Sequence, residues 1–159
     1  MRKIRFRGKR IDNGEWAYGY YCLTRFCWTP IPGTPEDAYA KRCVRLNNSR
    51  MYFAAIQEAD NPSSIVEVDP SSVGEFTGLP DKNSVEIYEG DIVRVQDRDY
   101  DPGDVSEHVI KWGGDYPAFE LDPPTSAAGE CNCLQEALIN RQVEVIGNIH
   151  NACLKEAGK

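Results

Sequence analysis

Residues 88–121, YEGDIVRVQDRDYDPGDVSEHVIKWGGDYPAFEL, carry the pattern that decides the fold. After a turn at Glu89-Gly90-Asp91, the apolar residues Ile92, Val93 and Val95 mark a strand. An acidic loop over 97–107 follows, and 108–113 returns as a second strand. Gly113-Gly114 then turns the chain tightly into a third, 116–121. Three strands joined in sequence by short connections read as a meander, of the kind found in small SH3-like barrels.

The same period-two reading extends outward. In 3–11, KIRFRGKRI, the cations Lys3, Arg5, Arg7 and Lys9 alternate with Ile4, Phe6 and Gly8, so a strand there has one basic and one apolar face. Asn13-Gly14 supplies a tight hairpin turn into EWAYGYYCL, where Trp16, Tyr18 and Tyr20 share a face. Residues 29–40 hold three prolines and a glycine and read as a loop. KRCVRL (41–46) and MYFAAIQ (51–57) form a second hairpin, and SIVEVD (64–69) a short strand. Residues 71–78 read as a helical turn capped by Ser71 or Ser72, or as a bend. Past the meander, Leu134, Ala137, Leu138 and Arg141 stand at helical spacing, so 133–141 is a short helix, followed by a last strand over 142–149. The expected fold is mainly β, with two small β subdomains and a short C-terminal helix. The turns at 78–84 divide a hairpin-based sheet over 1–78 from the SH3-like meander or barrel over 79–159.

At 159 residues, with 41% hydrophobic and 27% charged residues, the composition is that of a globular protein able to bury a core. No apolar run approaches the roughly 20 residues of a membrane span. The basic start is not followed by an apolar signal region, which points to the cytoplasm. In that compartment the six cysteines are expected as thiols rather than disulfides. The net charge of −7 is unevenly placed: residues 1–50 carry +7 and residues 51–159 carry −14. Opposite fields of this kind steer two halves, or two copies, toward each other.

Chemistry-bearing patterns are sparse. Cys131, Cys133, His150 and Cys153 offer four ligands of the types zinc takes, but Cys-x-Cys and His-x-x-Cys depart from standard knuckle spacing. Packing as small apolar thiols is the favoured reading, and no metal or other cofactor is expected. Asp97, Asp99 and Asp101 imitate the start of an EF-hand loop, which then fails at Pro102 and His108. The two histidines, His108 and His150, sit in no catalytic motif, and no phosphate-cradling glycine loop is present. No catalytic residue is assigned, and the chain is read as a non-enzyme. Lys3, Arg5, Arg7 and Lys9, beside Trp16, Tyr18 and Tyr20, form the alternative: a nucleic-acid-binding accessory using the basic face of the first strand. Alternation sends the rings toward the core and the cations away, and the acidic balance downstream repels a polyanion, so this reading ranks second.

Three stretches, KIRFRGKRIDNGEWAYGYY, VDPSSVGEFTGLPDKNSVEIYEGDIVRV and VEVIGNIH, resemble the YopX family of phage and prophage proteins in composition and order. Thr77-Gly78-Leu79, Asp81-Lys82-Asn83 and Ile87-Tyr88-Glu89-Gly90-Asp91 are its most specific part. The resemblance implies a small β-rich protein encoded in phage genomes and supplies no catalytic residue to carry over. The family usually has glycine after Asp-Lys-Asn, where this chain has Ser84. On this basis Gly78, Gly90 and Gly147 are expected at turns or close approaches, with Tyr88 as a core or interface anchor and Asp91 as a turn residue. The leading expectation is a protein-interaction module that self-associates through strand edges left open in the first hairpin, or binds a host or phage protein.

Overall fold

The computed structural model describes residues 4–25, 43–46, 50–61, 63–97, 105–113, 117–123 and 132–151. Within them the chain is mainly β, and it divides into two compact units, Ile4–Glu75 and Phe76 onward.

In the first unit, β1 (Phe6–Lys9) and β2 (Trp16–Arg25) form the expected hairpin. Its loop is longer than a two-residue turn, because the last pair is Lys9 with Trp16. The loop closes through Gly14 N–H to Arg10 O at 3.0 Å, and the Asn13 side chain accepts from Glu15 N at 2.9 Å. β3 (Cys43–Leu46) and β4 (Arg50–Glu58) make the second hairpin, and β5 (Ile65–Glu67) pairs with β4. The strand order β3-β4-β2-β1 continues into β6 (Gly74–Pro80), whose Gly74 and Glu75 pair with Arg7 and Phe6. Both strands of the first hairpin are therefore interior, and the open edges expected of them do not exist. The residues expected as one helical turn split instead into a 3-10 turn, Pro70–Ser72, and the start of β6. The cap is Asp69, not Ser71 or Ser72: its carboxylate accepts from Ser71 N at 2.9 Å. The core is Ala17, Ala54, Ile56 and Val68, with Phe6, Val66 and Val73 packed against it.

In the second unit, β6 from Phe76 pairs with β7 (Glu86–Tyr88). β8 (Asp91–Asp97), β9 (Val105–Trp112) and β10 (Phe119–Asp122) form the meander, and β11 (Arg141–Asn148) returns beside β8, giving the order β10-β9-β8-β11. This antiparallel sheet does not close into a barrel. Helix α1 (Leu134–Asn140) buries Leu134 and Ala137 in a core with Val93, Ile110, Leu121 and Val143, as its spacing requires. Each edge strand of this sheet is met by a neighbouring segment at one point. Leu121 N–H bonds Asn132 O at 3.0 Å beside β10, and Lys82 N–H bonds Val143 O at 3.0 Å beside β11.

Candidate functional site

The motif residues are the first candidates, and each is engaged in holding backbone. Asp81 is 6% exposed. Its Oδ1 accepts from Asn83 N at 2.7 Å and Val85 N at 2.9 Å, and its Oδ2 from Val145 N at 3.0 Å. One carboxylate thus shapes the turn 81–85 and fastens it to β11, with hydrogen bonds of the charge-assisted kind. Lys82 adds an ion pair to Glu144 at 2.9 Å. The Lys82 ammonium, with Asn83 and Arg94 nearby, holds the Glu144 carboxyl below its ordinary value. Asp91, 1% exposed, accepts from Tyr88 N at 2.8 Å and from Asn148 Nδ2 at 3.3 Å. Asn148 also donates to Gly90 O at 2.9 Å. Gly90 has φ +82°, where a side chain would be strained.

Thr77-Gly78-Leu79 is a bulge. Phe76 pairs with Tyr88 and Pro80 with Glu86, so three residues of β6 stand opposite Ile87. The Thr77 hydroxyl bonds Ile87 O at 2.9 Å, and Gly78 has φ +86°. Tyr88 is 2% exposed, with its ring against Phe76 and its hydroxyl on Glu86, so it is a core residue rather than an interface anchor. Gly147 is not a turn residue. It lies within β11 beside a register shift, and a Cβ there would meet only Ile92 Cδ1, at 4.0 Å.

An open groove of about 540 Å³ runs in the second unit between Phe76–Leu79 of β6, Pro117–Phe119 and the start of α1. Trp112, at the end of β9, is 48% exposed in its lining and meets Phe119 edge-on at 4.9 Å. Its volume is within the range of ligand sites, and its lining mixes aromatic and aliphatic groups, as such sites do. The residues come from four separate elements, β6, β9, β10 with the residues before it, and α1, so the chain does not announce the groove. One signal was available. Trp112 continues the inward phase of His108 and Ile110 past the point where the core ends, a place where a ring is left half covered.

The cations of the first strand are placed differently from expectation. Lys3 lies outside the described residues, and Arg5 is half-buried. Arg7 is 7% exposed, with its guanidinium 4.6 Å from the Trp16 ring, and Lys9 Nζ is 5.6 Å from the same ring. Arg7 stands opposite Tyr18 and Lys9 opposite Trp16, and opposed residues share a face. Cations and rings therefore lie together, not on opposite faces. Arg10 donates to Asp12 at 3.0 and 2.9 Å and holds that carboxyl below its ordinary value.

Of the zinc candidates, Cys131 and Cys153 lie outside the described residues, as do Asp99 and Asp101. Cys133 is a free thiol that bridges by backbone to Glu120. No group of three or more metal-binding side chains occurs among the described residues. His108 is buried between the Pro123 carbonyl, on Nδ1, and Ser106 Oγ, on Nε2 at 2.7 Å. A carbonyl only accepts, so Nδ1 carries the proton and the ring acts as a cross-brace. No described helix is long and apolar enough to cross a membrane.

No curated protein matches the chain. Among solved structures, the crystal structure of protein EF1440 from Enterococcus faecalis is similar at 23% identity, over 96% of this chain and 97% of that one, with a TM-score of 0.48. The model of the YopX protein family matches residues 36–154. That span takes in the bulge at Thr77-Gly78-Leu79, the Asp81 turn and the Gly90-Asp91-Asn148 lock. By it the chain belongs to the YopX family.

Proposed function

We propose that the protein is a non-enzymatic interaction module of phage or prophage origin, acting in the cytoplasm, that self-associates through the groove beside Trp112. The carrying observation is the half-exposed indole in a groove of ligand-site size lined by both apolar and polar groups. Rings of this size, once desolvated at a contact, dominate association energies. The motif carboxylates Asp81 and Asp91 are occupied by backbone donors, which leaves them unsuited to acid–base work. A second copy brings an apolar group of its own: Ile139 on α1 is 65% exposed. Groove and knob are different surfaces of one chain, so the contact is heterologous and either closes into a ring or continues as a chain.

Native mass spectrometry and light scattering across protein concentration test this. Wild type is expected as multiples of one chain larger than the monomer, persisting at high salt because the anchors Trp112 and Ile139 carry no charge. Trp112→Ala and Ile139→Ser should each weaken assembly, by roughly thirtyfold for a two kcal/mol anchor. A wild type that stays monomeric throughout, or assembly indifferent to both substitutions, would overturn the reading.

A further inference from the structure

We infer that the groove beside Trp112 takes an arginine of a basic partner protein, its guanidinium stacked on the indole and paired with Glu89. The site is the groove of the preceding reading, but the inference does not need a second copy of the chain in it. Trp112 is 48% exposed, and its indole N–H donates to no acceptor among the described residues. The backbone N–H of Trp112 donates to Glu89 Oε1 at 3.4 Å, a long bond and the only one that carboxylate accepts among the described residues. No described cation pairs with Glu89, which is half-buried. A half-open ring and an under-satisfied carboxylate therefore meet at one residue of the groove.

The charge around them is negative, and the nearest cations are occupied. Residues 76–159 carry seven Lys/Arg against sixteen Asp/Glu, a balance of −9. Lys82, Arg94 and Lys111 are each paired, with Glu144, Glu107 and Asp122. Lys111 precedes Trp112 in β9, but successive strand residues point to opposite faces, so its pair with Asp122 lies on the other side of the sheet. The field at the groove favours a cation, and an apolar occupant alone would leave Glu89 unanswered.

Arginine answers both groups at once. A guanidinium stacks on an indole within about 6 Å of its centre, and its planar fork of donors pairs with a carboxylate. A lysine ammonium is a strongly hydrated point charge and does not stack. The β6 wall selects a peptide to carry the arginine. Its bulge leaves Gly78 with no paired residue in β7, so backbone lines that wall together with side chains. An extended segment along it brings a carbonyl for the indole N–H as well as the cation. Where the chain self-associates, both occupants need the Trp112 ring, so a basic partner also releases the assembly.

The test is fluorescence anisotropy of a labelled arginine-rich peptide of about ten residues, long enough to lie extended along the groove, titrated with the full chain. Versions with lysine, or with citrulline as the uncharged isostere, are run in parallel. The titration uses wild type and Ile139→Ser, whose groove no second copy fills. The arginine peptide should bind about threefold more tightly than the lysine one and at least about tenfold more tightly than the citrulline one. Trp112→Ala should weaken it about tenfold. Glu89→Gln should shrink the preference for arginine over citrulline about fivefold. Glu107→Gln removes the same charge from the other face of β9 and should change binding less than about twofold, which separates the site from general attraction to an acidic unit. Glu89→Gln carries the test alone if circular dichroism shows that Trp112→Ala loses its strands. Peptide binding to a wild type that stays monomeric would sink self-association and leave this inference standing. Assembly through Ile139 in a chain whose Ile139→Ser variant ignores the peptide would do the reverse. No binding by Ile139→Ser, equal binding of the citrulline peptide, or a preference unchanged by Glu89→Gln would overturn the inference.

Discussion

Replacing Asp81 by asparagine keeps the shape of the side chain and removes only its charge and one acceptor. The wild-type carboxylate receives three backbone N–H groups, those of Asn83, Val85 and Val145. In Asp81→Asn the remaining oxygen can keep Asn83 and Val85, but as a neutral acceptor, about half as strong. The new amide N–H₂ then faces the Val145 N–H, donor against donor. A charge-assisted bond lost with its partner stranded is worth about 1.5–3 kcal/mol, and weakening the other two adds about 1 kcal/mol. The expected loss is therefore about 2.5–4 kcal/mol, a large share of the 5–15 kcal/mol typical of a domain. Asp81→Ala should cost only somewhat more, about 3–5 kcal/mol, because Asn83 and Val85 are exposed and water can replace their partner. Urea unfolding followed by amide exchange at β8 and β11 reports the second unit alone, which matters in a chain with two units. The Val145 amide should show the largest single change. A loss below about 0.5 kcal/mol for Asp81→Asn would refute the view that this carboxylate fastens the turn to the sheet.

Two further outcomes follow from the same turn. Ser84 has φ +66°, a conformation costing an L-residue about 1–2 kcal/mol, against the 0.5–1 kcal/mol of chain entropy that glycine loses on folding. Ser84→Gly should therefore raise the urea midpoint by an amount equivalent to about 0.5–1 kcal/mol, and a fall instead would show that the serine side chain supports the turn. Glu144 has its pKa lowered by Lys82 from the ordinary 4.5, so its contribution is present above that value and lost as pH falls through the lowered one. Glu144→Gln should unfold at lower urea than wild type at neutral pH, with the difference shrinking as pH falls through the lowered value, and a difference that does not shrink in acid would refute the pairing as its cause.

Much of the architecture was legible because side-chain period reports it directly. The meander appeared in the apolar residues of 92–95, 108–113 and 116–121, and α1 in Leu134, Ala137 and Leu138. β6 and β7 were not legible. Gly74, Gly78 and Pro80 interrupt any alternation in β6, and its bulge places three residues opposite one. β7 is three residues long, too short to show a period. The roles of Asp81 and Asp91 were legible only as turn composition, because their partners Val145 and Asn148 lie more than fifty residues away. Nothing local in a sequence predicts such a contact. The groove failed for the same reason, since it exists only where four elements converge.

The outer face of the first hairpin shows most clearly where reading by residue type stops. Period two sorts each strand into faces, yet it says nothing about which face of β1 meets which face of β2. The loop decides that: the pair Lys9–Trp16 puts cations and rings together, and a loop one residue longer would pair Lys9 with Ala17 and turn the rings inward. Hydrophobicity alone favours the second arrangement. The core has no room for it. A Cβ on Gly8 would sit 2.9 Å from Val68 Cγ2, and one on Gly19 would sit 1.9 Å from the Gln57 carbonyl oxygen. The inner face is thus built from Gly8, Ala17 and Gly19 so that β4 and Val68 can close upon it. Close packing on one side forces the large side chains to the other. Tyr18 and Tyr20 are exposed because the small residues between them and around them are needed within.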